Sequence, residues 1–421
     1  MTNNNAARFL AEHTNLTRRF FLGLGAGGAV ALSYWPAAAE EALPPLLEKA
    51  VAELETYLTR QDDFRDVSRG KPIPHTLDEE ARSKVGMTPD SWQMEVTGDP
   101  ENQPDLRTPL TKADGNALDF AALMELGKDK AVRIPKVMTC NNIGCPLGMG
   151  IWEGVPLRDV IWKVQPRRNV RRLFYYGYHN DDPAQKFQSS LPIGRVLEDP
   201  LGLPPIILCY KLNGQLLTPA RGGPVRIVVP EAYGFKSVKW ITNIVLTNLH
   251  HANDTYANGN NDIDSPLKTF AATISIPTEA KAGQPLPVTG YAQVGVSGLT
   301  RVQYWVTPRD AELPAGDRYF TKAPWQDAAI LPPPANWGGD LPDNTIPPAT
   351  IGFDDESGRP KQWPMRLAKV HWAALVAGLE PGEYTFRCRT VDQNGIAQPL
   401  PRPFDKSGRN SIEKIGITVS G

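Results

Sequence analysis

Cys140 closes the apolar run VMTC and precedes NNIGCPLGMG, a stretch rich in Asn, Gly and Pro that punctuates rather than extends regular structure. Four chemistries suit a thiol in such a place: a packed core group, half of a disulfide with Cys145, a nucleophile, or a soft metal ligand. Nucleophilic catalysis needs a base beside the thiol, and the sequence assigns Cys140 no such partner. Four cysteines in 421 residues are too few for a disulfide scaffold. There is no C-x-x-C-H, so no covalent haem is expected on this chain. Metal ligation is the leading reading, because a thiol fixed at a strand end, with the backbone amides of NNIG nearby, can be presented rigidly to a cofactor.

The first forty residues bear on where that chemistry takes place. Arg18 and Arg19 stand directly before FFLGLGAGGAVALSYW, and Ala37, Ala38 and Ala39 follow as a cleavage site of the A-x-A kind. The pattern predicts a twin-arginine signal peptide over 1–39 and a periplasmic mature chain. The apolar run is about 16 residues and includes four glycines, short of the roughly 20 apolar residues a membrane span needs. No later run is long enough, so no membrane span is expected in the mature chain. The twin-arginine route carries folded proteins, which favours a cofactor inserted before export. Removing the signal takes three of the 45 basic and one of the 46 acidic side chains, leaving a net charge of −3. Such a balance argues against nucleic acid or an anionic lipid surface as a partner.

The mature chain is long enough for two domains, and the 40 prolines and 36 glycines scattered through it favour strands and loops over long helices. Apolar residues at helical spacing predict one amphipathic helix over 43–60. WQMEVTGD from 92 alternates like a strand, LDFAALMEL at 118–126 predicts a short helix, and VRIPKVMTC a strand ending at Cys140. VPLRDVIWKV reads as a helix and RRLFYYGYH as a strand. PIILCYKLNGQLL reads as a hairpin turning at Asn213 and Gly214, with VRIVVP and VKWITNIVLTN as further strands. Without a regular βαβ rhythm, a mixed α+β fold is expected rather than a doubly wound sheet. After about residue 265, short alternating segments with turns between them predict a β-sandwich, interrupted by the proline-rich AAILPPPANWGGDLPDNTIPPAT. The four arginines of RRNVRRLF, 167–174, read as a solvated edge, with a docking patch for an acidic redox partner or internal phosphate contacts as the alternative.

Four blocks in order resemble the sulfite oxidase family of molybdopterin-dependent oxidoreductases: TCNNIG followed by WEGVPLRDVIW, then GYHNDDPAQKFQSSLPI, LCYKLNGQLLTPARGGPVRIVVP and GFKSVKWI. The resemblance covers roughly residues 60–250, and PGEYTFRCRTVDQNGIAQP is similar to the family's immunoglobulin-like dimerisation domain. It implies a molybdopterin domain over 40–262, an immunoglobulin-like domain over 263–421 and a homodimer. It also implies Cys140 as the thiolate ligand of molybdenum. Pterin-contacting positions fall on Arg226 and on Ser237, Val238 and Lys239. His179 and Arg221 stand where the family has an acidic and a histidine contact, and Arg69, Gly70 and Lys71 match its R-N-H run. Arg226 and Lys239 are each expected within an apolar strand, where an unpaired charge is costly.

The implied activity is two-electron oxygen-atom transfer on a small oxyanion or oxide, with electrons passed to a c-type cytochrome or similar carrier. Two departures bear on the substrate. Cys145 stands at the place of a family arginine that helps hold sulfite, and Phe187 at that of the active-site tyrosine. A pocket short of a cation and a phenol predicts weak sulfite oxidation and a less charged sulfur or nitrogen oxide as the better substrate. The short gap from Cys140 to Trp152 resembles the periplasmic methionine sulfoxide reductase branch, so a sulfoxide or other oxide reductase is an alternative. A non-catalytic secreted β-sandwich binding protein is the alternative from another class; it accounts for 265–421 but not for the Cys140 block.

Overall fold

Val132–Thr139 and Pro146–Pro156 lie antiparallel with Val132 opposite Gly154 and Thr139 opposite Pro146, so the turn between them begins at Cys140. The second strand has glycines that argue against a strand by propensity. Each is required by what packs on it. A Cβ on Gly148 would lie 2.6 Å from the Phe64 ring, on Gly150 2.3 Å from Leu212, and on Gly154 2.1 Å from the Leu208 carbonyl oxygen. In the computed structural model the described residues are 43–143, 145–179, 182–264, 266–313, 316–317, 320–398 and 404–421, so the predicted signal peptide lies outside them. The sheets all belong to the larger of two compact units, Lys49–Gly421, the other being Met1–Glu48. No helix among the described residues is long and apolar enough to cross a membrane.

One sheet runs Gln215–Leu216, Ile207–Leu212, Pro146–Pro156, Val132–Thr139, with Arg226–Val228 also pairing Ile207–Leu212. The predicted hairpin is present: Asn213 and Gly214 both take positive φ, as the two-residue turn requires. Asn213 is buried and also acts as a hub, accepting from the Ile151 amide and donating to the carbonyls of Thr59 and Gly339. A second sheet runs Leu118–Asp119, Gln93–Gly98, Ile241–Thr247, Arg172–Gly177, Gln188–Pro192, in which Gln93–Gly98 and Ile241–Thr247 are parallel. The short helices Phe120–Lys130 and Leu157–Ile161 fall where the sequence predicts them.

From Phe270 onward the strands form a path of eight: Phe270–Ser275, Leu286–Gln293, Lys369–Val376, Gln326–Ile330, Arg301–Pro308, Gly382–Val391, Glu413–Ser420, Glu279–Lys281. Gln326–Ile330 pairs with Arg301–Pro308 on one side and Lys369–Val376 on the other, so the stretch that introduces the proline-rich segment is itself a strand.

Two expectations are corrected. The helix over 43–60 covers only Pro45–Ala52. Helical spacing continues beyond it, but tertiary partners claim the backbone: the Leu58 amide donates to the Trp337 carbonyl and the Thr59 amide to that of Met149. The Tyr57 ring then packs on Trp337, Trp363 and His371. The strand expected from Val238 starts at Ile241, because Trp240 takes φ +53° and its indole donates to the Pro219 carbonyl at 2.8 Å. Lys239 is therefore outside any strand.

Candidate active site

Cys140 sits at the strand end, half-buried, and the Asn142 amide donates to its Sγ at 3.4 Å. All four cysteines are free thiols, which removes the Cys140 to Cys145 disulfide. Cys140 lines a cavity of about 370 Å³. Of the other nine residues expected at the site, Arg69, His179, Arg221, Arg226, Ser237, Val238 and Lys239 line the same cavity. Gly70 and Lys71 do not. Gly70 lies at φ +120°, where a Cβ would come within 2.9 Å of the His179 carbonyl oxygen, so it allows the chain to pass close to His179. The exposed Lys71 is tied by its amide to the Gln185 side chain.

Arg226, in the strand Arg226–Val228, is buried, donates to the carbonyls of Arg221 and Ser237, and lies 5.1 Å from the Trp152 ring centroid. Burial pulls its pKa down to about 10, with the neighbouring Arg221 acting in the same direction. Arg221 is held on the short turn Pro219–Arg221, 5.6 Å from the Phe64 ring centroid. The left-handed Gly222 lets Lys239 pack against that turn, since a Cβ there would lie 2.9 Å from the Lys239 side chain. Lys239 donates to Ser68 Oγ and the Ala220 carbonyl at 2.6 Å and pairs with Asp66 at 3.2 Å. Burial first, then Arg226, lowers its pKa to about 7, against the pull of Asp66. For Asp66, burial opposes ionisation, but Lys239 and Ser68 prevail and hold the carboxyl at about 2.

His179 Nδ1 lies 3.2 Å from the Gly177 carbonyl, which can only accept, so Nδ1 carries the proton and Nε2 is left as an acceptor. Burial lowers its pKa, with Arg69 and Lys239 adding to the shift.

The structure adds lining residues the motifs do not single out: Arg65, Tyr256 and Lys406. The site therefore has six cations, Arg65, Arg69, Arg221, Arg226, Lys239 and Lys406, and no carboxylate among its lining residues. Cys145 is not among them, but Arg65 Nη1 donates to its sulfur at 3.4 Å. No signal in the sequence points to Tyr256 or Lys406, because both come from loops whose position depends on distant contacts. In the basic run 167–174, Arg167, Arg168 and Arg171 are exposed as expected, whereas Arg172 is buried and donates to Ser190.

Residues 82–255 match the oxidoreductase molybdopterin binding domain. This match and the relatives that follow support the sulfite oxidase family of molybdopterin-dependent oxidoreductases. It is 27% identical over 165 residues to the mitochondrial sulfite oxidase of Drosophila melanogaster, an alignment covering 38% of this chain and 28% of that protein. It is 29% identical over 266 residues to the catalytic subunit MsrP of the protein-methionine-sulfoxide reductase of Ralstonia nicotianae, covering 57% of this chain and 71% of that one. Its fold is similar to that of the sulfane dehydrogenase SoxCD from Paracoccus pantotrophus, with a TM-score of 0.54 at 16% identity over 92% of this chain and 93% of that one. The chain thus spans well under two thirds of the sulfite oxidase it matches.

The residues fit the cofactor that this family implies. The Nε atoms of Arg221 and Arg226 are buried without a hydrogen-bond partner among the described residues. Buried donors of this kind suit an anion such as the pterin phosphate. The free Cys140 thiol in the same cavity suits the soft metal.

Proposed function

We propose that the protein is an exported molybdenum–molybdopterin oxidoreductase that oxidises a small anionic sulfur–oxygen compound, with sulfite as the simplest case. Sulfite and water become sulfate with release of two protons and two electrons, and the electrons pass singly to a c-type cytochrome. When bound, the molybdenum cofactor supplies the two-electron oxygen-atom transfer itself. Cys140 holds the metal, Arg221, Arg226 and Lys239 hold the pterin phosphate, and the neutral His179 offers an acceptor to the pterin. The observation that carries the reading is the cavity around Cys140 with six basic side chains, Lys239 among them paired with Asp66, and no carboxylate in the lining itself. Such a field favours an anion over a neutral oxide, which revises the expectation drawn from Cys145 and Phe187.

A second reading within the family is reduction of a neutral sulfoxide. It is favoured by the exposed apolar residues Val67 and Ile143 that also line the cavity, and by the likeness to the methionine sulfoxide reductase subunit. A non-catalytic binding protein gives no account of the molybdopterin domain match. We place the molybdopterin domain over 40–262, an immunoglobulin-like and dimer-forming domain over 263–421, and export on Arg18 and Arg19. Changing that pair to lysines should leave the precursor in the cytoplasm; continued export would reject the route.

Molybdenum analysis of the purified chain, with steady-state turnover of sulfite coupled to a one-electron dye, tests the reading. About one metal per chain and turnover of sulfite support it. A loaded protein that turns over only a neutral sulfoxide would establish the second reading instead.

A further inference from the structure

Two of the residues lining the cavity lie beyond the C-terminal end of the segment 82–255 that matches the family: Tyr256, just past that end, and Lys406, from the C-terminal part of the chain. We propose that Tyr256 and Lys406 together form the substrate-binding wall of the cavity, the phenol donating to an oxygen of a small anionic sulfur–oxygen species and the ammonium balancing its charge. The inference rests on the function proposed above and names the groups that select its substrate.

Tyr256 is positioned with unusual thoroughness for a loop residue. Two residues before it, the buried Asp254 accepts from Lys236 Nζ and from the hydroxyls of Ser189 and Ser190, each at 2.6 Å. The Thr255 amide donates to the Gln188 carbonyl at 2.9 Å, and the Gln188 amide donates back to the Thr255 hydroxyl. The Tyr256 ring then meets Phe187 edge-on at 5.5 Å and Phe235 at 5.4 Å. Its hydroxyl oxygen accepts from Asn142 Nδ2 at 3.2 Å, two residues from Cys140. With that oxygen already accepting, the phenolic hydrogen is free to donate, and no described residue accepts it.

Lys406 is brought to the same place from the far end of the chain. The Asp262 amide donates to its carbonyl at 2.8 Å, and the Asp405 amide to that of Asn260 at 2.7 Å. The Gly408 amide donates to the Asn141 carbonyl at 3.1 Å, so the 405–408 loop is fastened directly to the turn that follows Cys140. Only glycine suits position 408, since φ is +72° and a Cβ would lie 2.3 Å from the Tyr233 ring. The Lys406 ammonium lies 5.0 Å from the Tyr256 ring centroid and has no carboxylate within ion-pair distance among the described residues. A half-buried cation without a counter-ion, beside a hydroxyl with a spare hydrogen, matches an oxyanion in charge and in hydrogen bonding. Phe187, which lacks a hydroxyl, and Cys145, which lacks a charge, are thereby compensated from other segments.

Calorimetric titration of the molybdenum-loaded full chain with sulfate, and separately with neutral dimethyl sulfone, tests the proposal. Lys406→Met and Tyr256→Phe should each weaken sulfate binding by about tenfold while shifting dimethyl sulfone by less than about twofold, and Lys406→Arg should retain most of the sulfate affinity. Sulfate affinity within about twofold of wild type in both variants would overturn it. So would an equal loss for the two ligands, which marks general damage. Should Lys406→Met fail to fold, Tyr256→Phe and Lys406→Arg decide on the same criteria. A wild-type chain without molybdenum or sulfite turnover whose sulfate affinity still depends on Lys406 would reject the proposed function and keep the anion site.

Discussion

Thr139 Oγ1 donates to Gln293 Oε1 at 2.5 Å, and both side chains are fully buried. The residue next to Cys140 is thus bonded to the strand Leu286–Gln293, whose Gln293 also donates to the Lys268 carbonyl. Two positions earlier, the Val137 amide donates to the Leu367 carbonyl at 2.7 Å. The thiol is positioned by the C-terminal strands as well as by its own sheet. Replacing Gln293 by Leu removes the acceptor of the buried Thr139 hydroxyl. The expected cost is about 1–3 kcal/mol, read as a lower denaturation midpoint; an unchanged midpoint would show that water replaces the amide.

Cys140→Ser should abolish turnover and molybdenum retention while leaving the melting temperature close to that of wild type, because a hydroxyl is a harder and weaker ligand for this metal. Cys145→Ser should be mild, since Cys145 is outside the lining and its sulfur accepts from the exposed Arg65. Normal metal content in Cys140→Ser would remove the thiol from the site.

Gly177 ends the strand Arg172–Gly177, and a Cβ there would lie 2.2 Å from the Trp240 carbonyl oxygen and 2.3 Å from that of Lys239. Backbone at that distance must move. Gly177→Ala should therefore cost about 1–3 kcal/mol by overpacking and displace Lys239, lowering cofactor content with stability. A variant as stable and as well loaded as wild type would show the segment 239–240 to be more yielding than its packing indicates.

Burial, then the neighbouring Lys369, lowers the His371 pKa from 6.5 to about 4. Between those values the unfolded chain binds the proton and the folded chain does not, so this group's contribution is complete above about pH 6.5 and lost as the pH falls towards 4. The contribution is about 3 kcal/mol at most. His371→Phe, packed against Tyr57 in the same way, should flatten the fall in melting temperature across that window. An unaltered pH profile would assign the acid sensitivity to other groups.

Strand and helix positions in the cofactor part are largely legible because alternation and helical spacing there agree with burial. VRIPKVMTC ends where the strand ends, and Asn213 and Gly214 make the turn their residue types require. The failures have physical causes. Pro146–Pro156 is hidden by glycines chosen for close packing, and the helix beyond Ala52 is overridden by hydrogen bonds to Trp337 and Met149. Trp240 interrupts an apparently continuous strand because its indole bonds to the Pro219 carbonyl.

The order and chemistry of local motifs pointed to the family and picked out Cys140 and most of the inner cations that line the cavity, since each of those depends on a residue type within a short stretch. The charge of the site and the identity of its outer wall were decided only by the tertiary structure. Arg65, Tyr256 and Lys406 reach the cavity through contacts spanning up to hundreds of residues, such as Gly408 to Asn141. A substitution at Cys145 or Phe187 reads as a loss along the chain, and whether another segment makes it good depends on packing that no local pattern encodes.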